Sequence, residues 1–147
     1  MRLLDTDTFS EYLREKLYKE ETSPVTNRIA RAEPGSVVIS VVTMSEMMKG
    51  MLNLLQRFEK AGRTETGFSE MFRVYESWGL LPVLPYDVAA DAYFTGFPPA
   101  VRRVGRPDCQ IAAIALANRC VVVTRNTRHF AQIPGITCED WTRTSVG

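Results

Sequence analysis

Two runs of β-branched residues, Val37-Val38-Ile39 and Val121-Val122-Val123, constrain this chain more than any other feature. Each is too short for a helix and apolar at every position, the pattern of a strand buried on both faces. Such strands need helices to cover them, and the rest of the sequence supplies them. Leu3-Leu4 marks a short first strand, after which Phe9, Tyr12, Leu13 and Leu17 recur at helical spacing. Pro24 opens a second helix that runs to about Ala32 and stops at Glu33-Pro34-Gly35. The second strand covers residues 37–41. Met44, Met47, Met48, Met51, Leu54, Leu55 and Phe58 continue as a long amphipathic helix, read mainly as core. Residues 60–67 form the most polar gap and read as a loop or helix break. Met71, Val74, Tyr75 and Trp78 mark a further helix ending near Gly79. Pro82-Val83-Leu84-Pro85 reads as a short edge strand. Residues 88–101 read as helical, interrupted at Phe97-Pro98-Pro99. Residues 109–118 are apolar nearly all round and predict a buried helix, and Ile136-Thr137-Cys138 predicts a last strand. Strands separated by helices imply an α/β fold with a mostly parallel sheet covered on both faces.

Length and composition agree. The 147 residues suit a single domain, residues 1–147, with its own core. The 45% apolar and 24% charged fractions exclude a disordered or collagen-like chain, and no run approaches a membrane span. Met1-Arg2-Leu3-Leu4-Asp5 lacks the apolar segment of a secretion signal. Cys109, Cys120 and Cys138 are odd in number and form no Cys-x-x-Cys pair, so neither a disulfide framework nor a zinc site is indicated. Thiols in a reducing cytosol, and hence a cytoplasmic location, are the expectation. The formal charge is +1, but it is unevenly spread. Residues 101–130 carry six arginines against Asp108 alone, a net of +5; residues 1–23 carry four bases and six acids, a net of −2. Local fields, not totals, steer an anionic partner.

In open parallel sheets, sites form beyond the carboxyl ends of the strands. Asp5 directly follows Leu3-Leu4, Glu46 lies about one helical turn past the second strand, and Asn126 lies three residues past Val123. Asp108 opens the buried helix. Four polar groups thus converge on one rim. Carboxylates gathered there repel one another unless a divalent cation neutralises them, and oxygen donors suit Mg²⁺ or Mn²⁺. Each residue also has a purely structural reading. Asp108 fits a helix N-cap and Thr43-x-x-Glu46 a capping box. Asp7 fits a cap for the first helix and Asn126 a turn after a strand. Asp5 alone has no evident structural duty, because Asp7 is the better-placed cap.

The same residues carry a resemblance. Leu3-Leu4-Asp5-Thr6-Asp7, Ser40-x-x-Thr43-x-x-Glu46, Gly105-Arg106-Pro107-Asp108-x-x-Ile111-Ala112-Ala113, Val123-Thr124-Arg125-Asn126-Thr127-Arg128-His129-Phe130 and Glu139-Asp140-Trp141 occur in that order over nearly the whole chain. As an ordered set they resemble the PIN-domain family, and within it the VapC-type toxins of toxin–antitoxin pairs. The resemblance implies a three-layer α/β/α fold around four to five short strands. It implies a Mg²⁺- or Mn²⁺-dependent endoribonuclease with Asp5, Glu46 and Asp108 as the acidic core, the metal held by Asp5 and Asp108. It also implies an RNA substrate, an antitoxin partner and a homodimer. Relatives often carry a fourth carboxylate after the strand at Val123, where this chain has neutral Asn126. Thr6 and Thr124 are expected to support the carboxylates, and Arg125 and Arg128 to meet the RNA backbone. His129, the lone histidine, reads as packed or solvent-facing.

Two other readings compete. Asp5-Thr6-Asp7 after a strand also matches a phosphotransferase of the haloacid-dehalogenase type, with Asp5 as nucleophile and Asp7 as acid/base. That match stops there, because no later paired-acid motif follows. Alternatively, a PIN-like fold with a weakened site acts only in binding or dimerisation, which neutral Asn126 favours.

Overall fold

The computed structural model describes residues 1–18 and 22–143. Five strands alternate with helices in the order β1 (Arg2–Leu4), α1 (Thr6–Tyr18), α2 (Pro24–Arg31), β2 (Val37–Ser40), α3 (Val41–Lys60), α4 (Thr64–Ser77), β3 (Val83–Leu84), α5 (Val88–Gly96), α6 (Pro99–Arg102), α7 (Arg106–Ala117), β4 (Val121–Val123), α8 (Thr127–Phe130) and β5 (Cys138–Glu139). All strand pairs are parallel and the sheet order is β3-β2-β1-β4-β5. Arg2 faces Val37 on one side and Val121 on the other. The chain therefore winds outward from β1 in both directions, and the gap between β1 and β4 is the topological switch point, where α/β sheets bind their ligands.

Alternation along the strands divides the core into two layers. Leu3, Val38 and Val122 pack on one face with α5, α6 and α7, whose Cys109 and Ile111 to Ala115 are buried without a break. Leu4, Val37, Ile39 and Val123 pack on the other with Phe9, Tyr12 and Leu13 of α1 and Val25 of α2. Leu3, Leu4, Val122 and Val123 are wholly buried. At about 1.5–3 kcal/mol for each such side chain, this seam holds the sheet where the site is built. The three-layer α/β/α architecture expected from the sequence is present, with five strands and a fully parallel sheet.

Some local expectations are corrected. Helix α3 runs to Lys60 and α4 starts at Thr64, so the helix break expected in the polar stretch at 60–67 is present, but as a three-residue corner at 61–63 and not as a longer loop. The two helices pack as a hairpin at Gly67, where a Cβ would meet Leu55 Cδ1 at 2.8 Å and Phe58 Cβ at 3.0 Å. Polarity there reflects a solvent-facing surface, while packing settles the backbone. The buried helix begins at Arg106, because Gly105 (φ +127°) turns the chain and Pro107 suits a first helical turn. The last strand sits at Cys138–Glu139, paired with Val122 and Val123. The break at Phe97-Pro98-Pro99 separates α5 from α6, as expected. The methionine stripe of α3 divides: Met44, Met47 and Met51 lean on the core, whereas Met48 and Leu52 are half exposed.

Candidate active site

The carboxyl ends of β1, β2 and β4 and the amino end of α7 deliver the predicted residues to one rim. Asp5 leaves β1 with its N–H bonded to the Val123 carbonyl (3.0 Å), which ties it across the switch point to β4. Its side chain is 6% exposed. Oδ1 accepts the Thr8 N–H at 2.8 Å, so Asp5 caps α1. The expectation that Asp7 caps this helix, leaving Asp5 without a structural duty, is thereby corrected: the chain enters α1 at Thr6, two positions earlier than a cap at Asp7 requires. Asp7 is exposed. Burial raises the Asp5 pKa, against the opposing pull of hydrogen bonding from Thr124 and Thr8.

Glu46 also departs from its structural reading. Helix α3 is capped by Ser40, whose Oγ accepts the Thr43 N–H at 3.1 Å. Glu46 is thereby free of capping duty, and its carboxylate instead accepts the Thr6 hydroxyl. The Thr6 and Thr43 hydroxyls are 3.2 Å apart, and the Ser40 hydroxyl donates to that of Thr43 at 3.3 Å. Ser40, Thr43 and Thr6 thus form a chain of hydroxyl contacts that ends on Glu46. Ser40 and Thr43 are fully buried. Sequence reasoning named Thr6 as a support for the carboxylates but missed the contacts of Ser40 and Thr43 behind it, although Ser40-x-x-Thr43-x-x-Glu46 was in view.

Asp108 lies in the first turn of α7, whose cap position is Gly105, so it is not the N-cap. Burial raises its pKa, and the charges of Asp5 and Glu46 push it further up; His129 pulls it down. Asp5 and Glu46 thus stand near enough to disfavour the charged form of Asp108. His129 Nδ1 lies 3.9 Å from Asp108 Oδ2 and accepts from Asn126 Nδ2 at 2.6 Å. The lone histidine is half exposed on this rim rather than packed in the core. Asn126 opens α8, and its N–H donates to the Thr124 hydroxyl at 2.9 Å. Thr124 is buried and supports Asp5. Arg125 points to α1, where it pairs with Glu11 at 3.6 Å. Arg128 is exposed on α8.

Among the described residues, no three of His, Cys, Asp or Glu stand close enough to hold a metal together. The donor chemistry is nonetheless that of a hard cation. Mg²⁺ is commonly bound by one or two carboxylates while it keeps several waters, and Asp5 and Asp108 offer two, both raised in pKa. No helix among the described residues is long and apolar enough to cross a membrane.

The α3–α4 hairpin carries a groove of about 980 Å³ lined by Met48, Leu52, Phe68, Phe72 and Tyr75 among others, none of them a residue of the acidic rim. Phe72 and Tyr75 are 59% and 63% exposed. Apolar surface gathered in this way marks an interaction site more often than ordinary surface.

Known proteins share these features. The PIN domain family matches residues 2–136. A curated tRNA(fMet)-specific endonuclease VapC of Shigella flexneri is 32% identical over 112 residues, covering 73% of this chain and 76% of that protein. The protein of the same name from Salmonella typhimurium is 42% identical over 65 residues, about half its length. The crystal structure of DNA-bound VapBC from Salmonella typhimurium superposes with a TM-score of 0.71 at 30% identity, over 95% of this chain and 97% of that one. FitAcB from Neisseria gonorrhoeae shares the fold, with a TM-score of 0.73 at 21% identity over 98% of this chain and 100% of that one. With its switch-point acids on a β3-β2-β1-β4-β5 sheet and these likenesses over nearly its full length, the chain belongs to the PIN-domain family, among its VapC-type members.

Proposed function

We propose that this chain is a metal-dependent endoribonuclease and the toxin of a toxin–antitoxin pair. One observation carries the reading: Asp5, Glu46 and Asp108 meet on one rim, near enough that the charges of Asp5 and Glu46 oppose the ionisation of Asp108. A rim built to repel itself is built for a cation. Asp5 and Asp108 would hold Mg²⁺ or Mn²⁺, with Glu46 reaching it through water. When bound, the ion supplies an activated water and offsets the charge that develops on a phosphate. The chain's own groups do the rest. The Thr6–Thr43–Ser40 chain fixes the Glu46 carboxylate, and Thr124 with the Thr8 N–H fixes Asp5. Asn126 holds His129 beside Asp108 and contributes no charge of its own. Arg128 faces solvent, where an RNA backbone can reach it. Arg125 is partly committed to Glu11, which reduces its part in binding RNA.

The names of the relatives support the same direction. Two are called tRNA(fMet)-specific endonucleases, and the Salmonella typhimurium structure is a VapBC complex. The partner is an antitoxin, and the α3–α4 groove is the apolar face that suits it. A homodimer in the cytoplasm completes the reading.

The test is expression of the chain, Asp5→Asn and Asp108→Asn in a bacterium, with mapping of cleaved RNA ends. Cleavage by the natural chain under Mn²⁺ or Mg²⁺, lost in both variants and in excess chelator, is the expected result. A chain that binds no divalent ion and cuts no RNA belongs instead to the binding-module reading, which neutral Asn126 favours.

A further inference from the structure

One cluster beside the rim is unused by this mechanism. Phe94 of α5 sits under two guanidiniums at once: the Cζ atoms of Arg102 and Arg106 each lie 5.7 Å from its ring centroid. The Tyr86 ring meets Phe94 edge-on at 6.5 Å, and its hydroxyl donates to Asp91 at 2.9 Å. Arg102 spends one donor on the Thr95 carbonyl (2.6 Å). Among the described residues, neither arginine has a carboxylate within ion-pair distance. Two like charges drawn to one ring repel each other, and their remaining donors face solvent. An anion between them removes both penalties, and the guanidinium fork matches a phosphate. Position supplies the rest of the argument. Arg106 is in the same first turn of α7 as Asp108, about 3 Å away along the axis but turned toward the opposite side of the helix, so it can meet a phosphate beside the one at Asp108 and not that one itself.

We infer that Arg102 and Arg106, held on the Phe94 ring, form a subsite for an RNA backbone phosphate flanking the one that is cut. This rests on the nuclease reading above and names where the strand runs: across the α5–α7 side of the rim. The contact is to phosphate, so it adds affinity without choosing a base.

The test measures cleavage of a labelled single-stranded RNA, and separately its binding to the Asp5→Asn chain over a salt series. Arg102→Ala and Arg106→Ala should each raise KM about tenfold with little change in kcat. Each should also make the slope of log affinity against log salt shallower by about 0.7. Arg102→Lys and Arg106→Lys keep the charge, so they should retain the slope and recover part of the affinity. Alanine variants that keep both KM and slope, in a chain that does cut RNA, overturn the subsite and leave the nuclease reading intact. Equal losses in the Ala and Lys variants that follow a fall in Tm overturn it too, since they point to a structural role. A natural chain that neither binds nor cuts RNA refutes the nuclease reading itself.

Discussion

The Thr8 N–H donates to Asp5 Oδ1 at 2.8 Å, so the first helix is capped by the carboxylate that leads the site. Substitutions at Asp5 therefore separate structure from chemistry. Asn is as good a cap as Asp, while Ala forfeits it at a cost of about 1 kcal/mol. Asp5→Asn should match or exceed the natural chain in thermal stability, because it removes a buried charge, and should lose metal-dependent cleavage. Asp5→Ala should lose cleavage and melt lower. Retained cleavage in Asp5→Asn sinks the site assignment; a lower Tm for Asn than for Ala sinks the cap.

Acidity gives a second prediction. Burial and the neighbouring acids raise the Asp108 pKa above its ordinary 3.8, and burial raises that of Asp5. A raised folded-state pKa means that the native state binds the proton more tightly. The stabilisation is complete below the unfolded value and is lost as pH rises through the folded one. Asp108→Asn removes this loss. Its stability advantage over the natural chain, from urea melts without metal, should be near zero at pH 3 and grow to a plateau by neutral pH. Parallel curves across that range would be fatal to the idea.

Metal should reverse the same penalty. At neutral pH, added Mg²⁺ or Mn²⁺ should raise the Tm of the natural chain by relieving repulsion between Asp5 and Asp108, following the usual linkage of binding to stability. Asp108→Asn should show a smaller rise. An equal rise in both would place the ion elsewhere.

The α3–α4 hairpin allows a packing test. Alanine is ordinarily a better helix former than glycine by about 1 kcal/mol. At Gly67 the new methyl meets Leu55 at 2.8 Å, and Phe58 stands at 3.0 Å. Gly67→Ala should therefore destabilise the fold by about 1–3 kcal/mol, read by urea denaturation. A stabilised variant would show that the hairpin is looser than described.

Partner capture tests the groove. Phe72 is 59% exposed and belongs to no core layer. Phe72→Glu should leave the fold and RNA cleavage unchanged and abolish co-purification with a co-expressed antitoxin. Undiminished co-purification would move the partner off this face.

The fold was legible because its strands are short and fully apolar; Val37-Val38-Ile39 and Val121-Val122-Val123 leave little room for another reading. The rim where the candidate acids meet was legible because the ends of the first two strands locate Asp5 and Glu46 and the start of the buried helix locates Asp108. Helix starts were less so. Several acids and hydroxyls near a helix entrance can each serve as the cap, and a shift of two or three residues in where the chain turns decides among them. Asp5 took the role assigned to Asp7, and Ser40 the one assigned to Thr43. Polarity at 60–67 signalled the helix break but overstated its length, because a solvent-facing surface continues into the first turn of α4. Arg125 was placed by sequence proximity to the site, whereas its reach toward Glu11 depends on how α1 packs. The pairing of Arg102 and Arg106 on Phe94 joins three separate helices, and no local pattern encodes it.

The five strands are between two and four residues long. Nothing therefore separates Leu4, wholly buried, from Asp5, or Val123 from Thr124. In longer sheets several residues insulate the scaffold from the chemistry, and the interior can drift while the site stays put. Here a methyl group lost from Leu4 or Val123 is transmitted directly into the position of a carboxylate or its hydroxyl partner. Interior and site must change together, so this chain can tolerate variation on its outer helices far more readily than at the centre of its sheet.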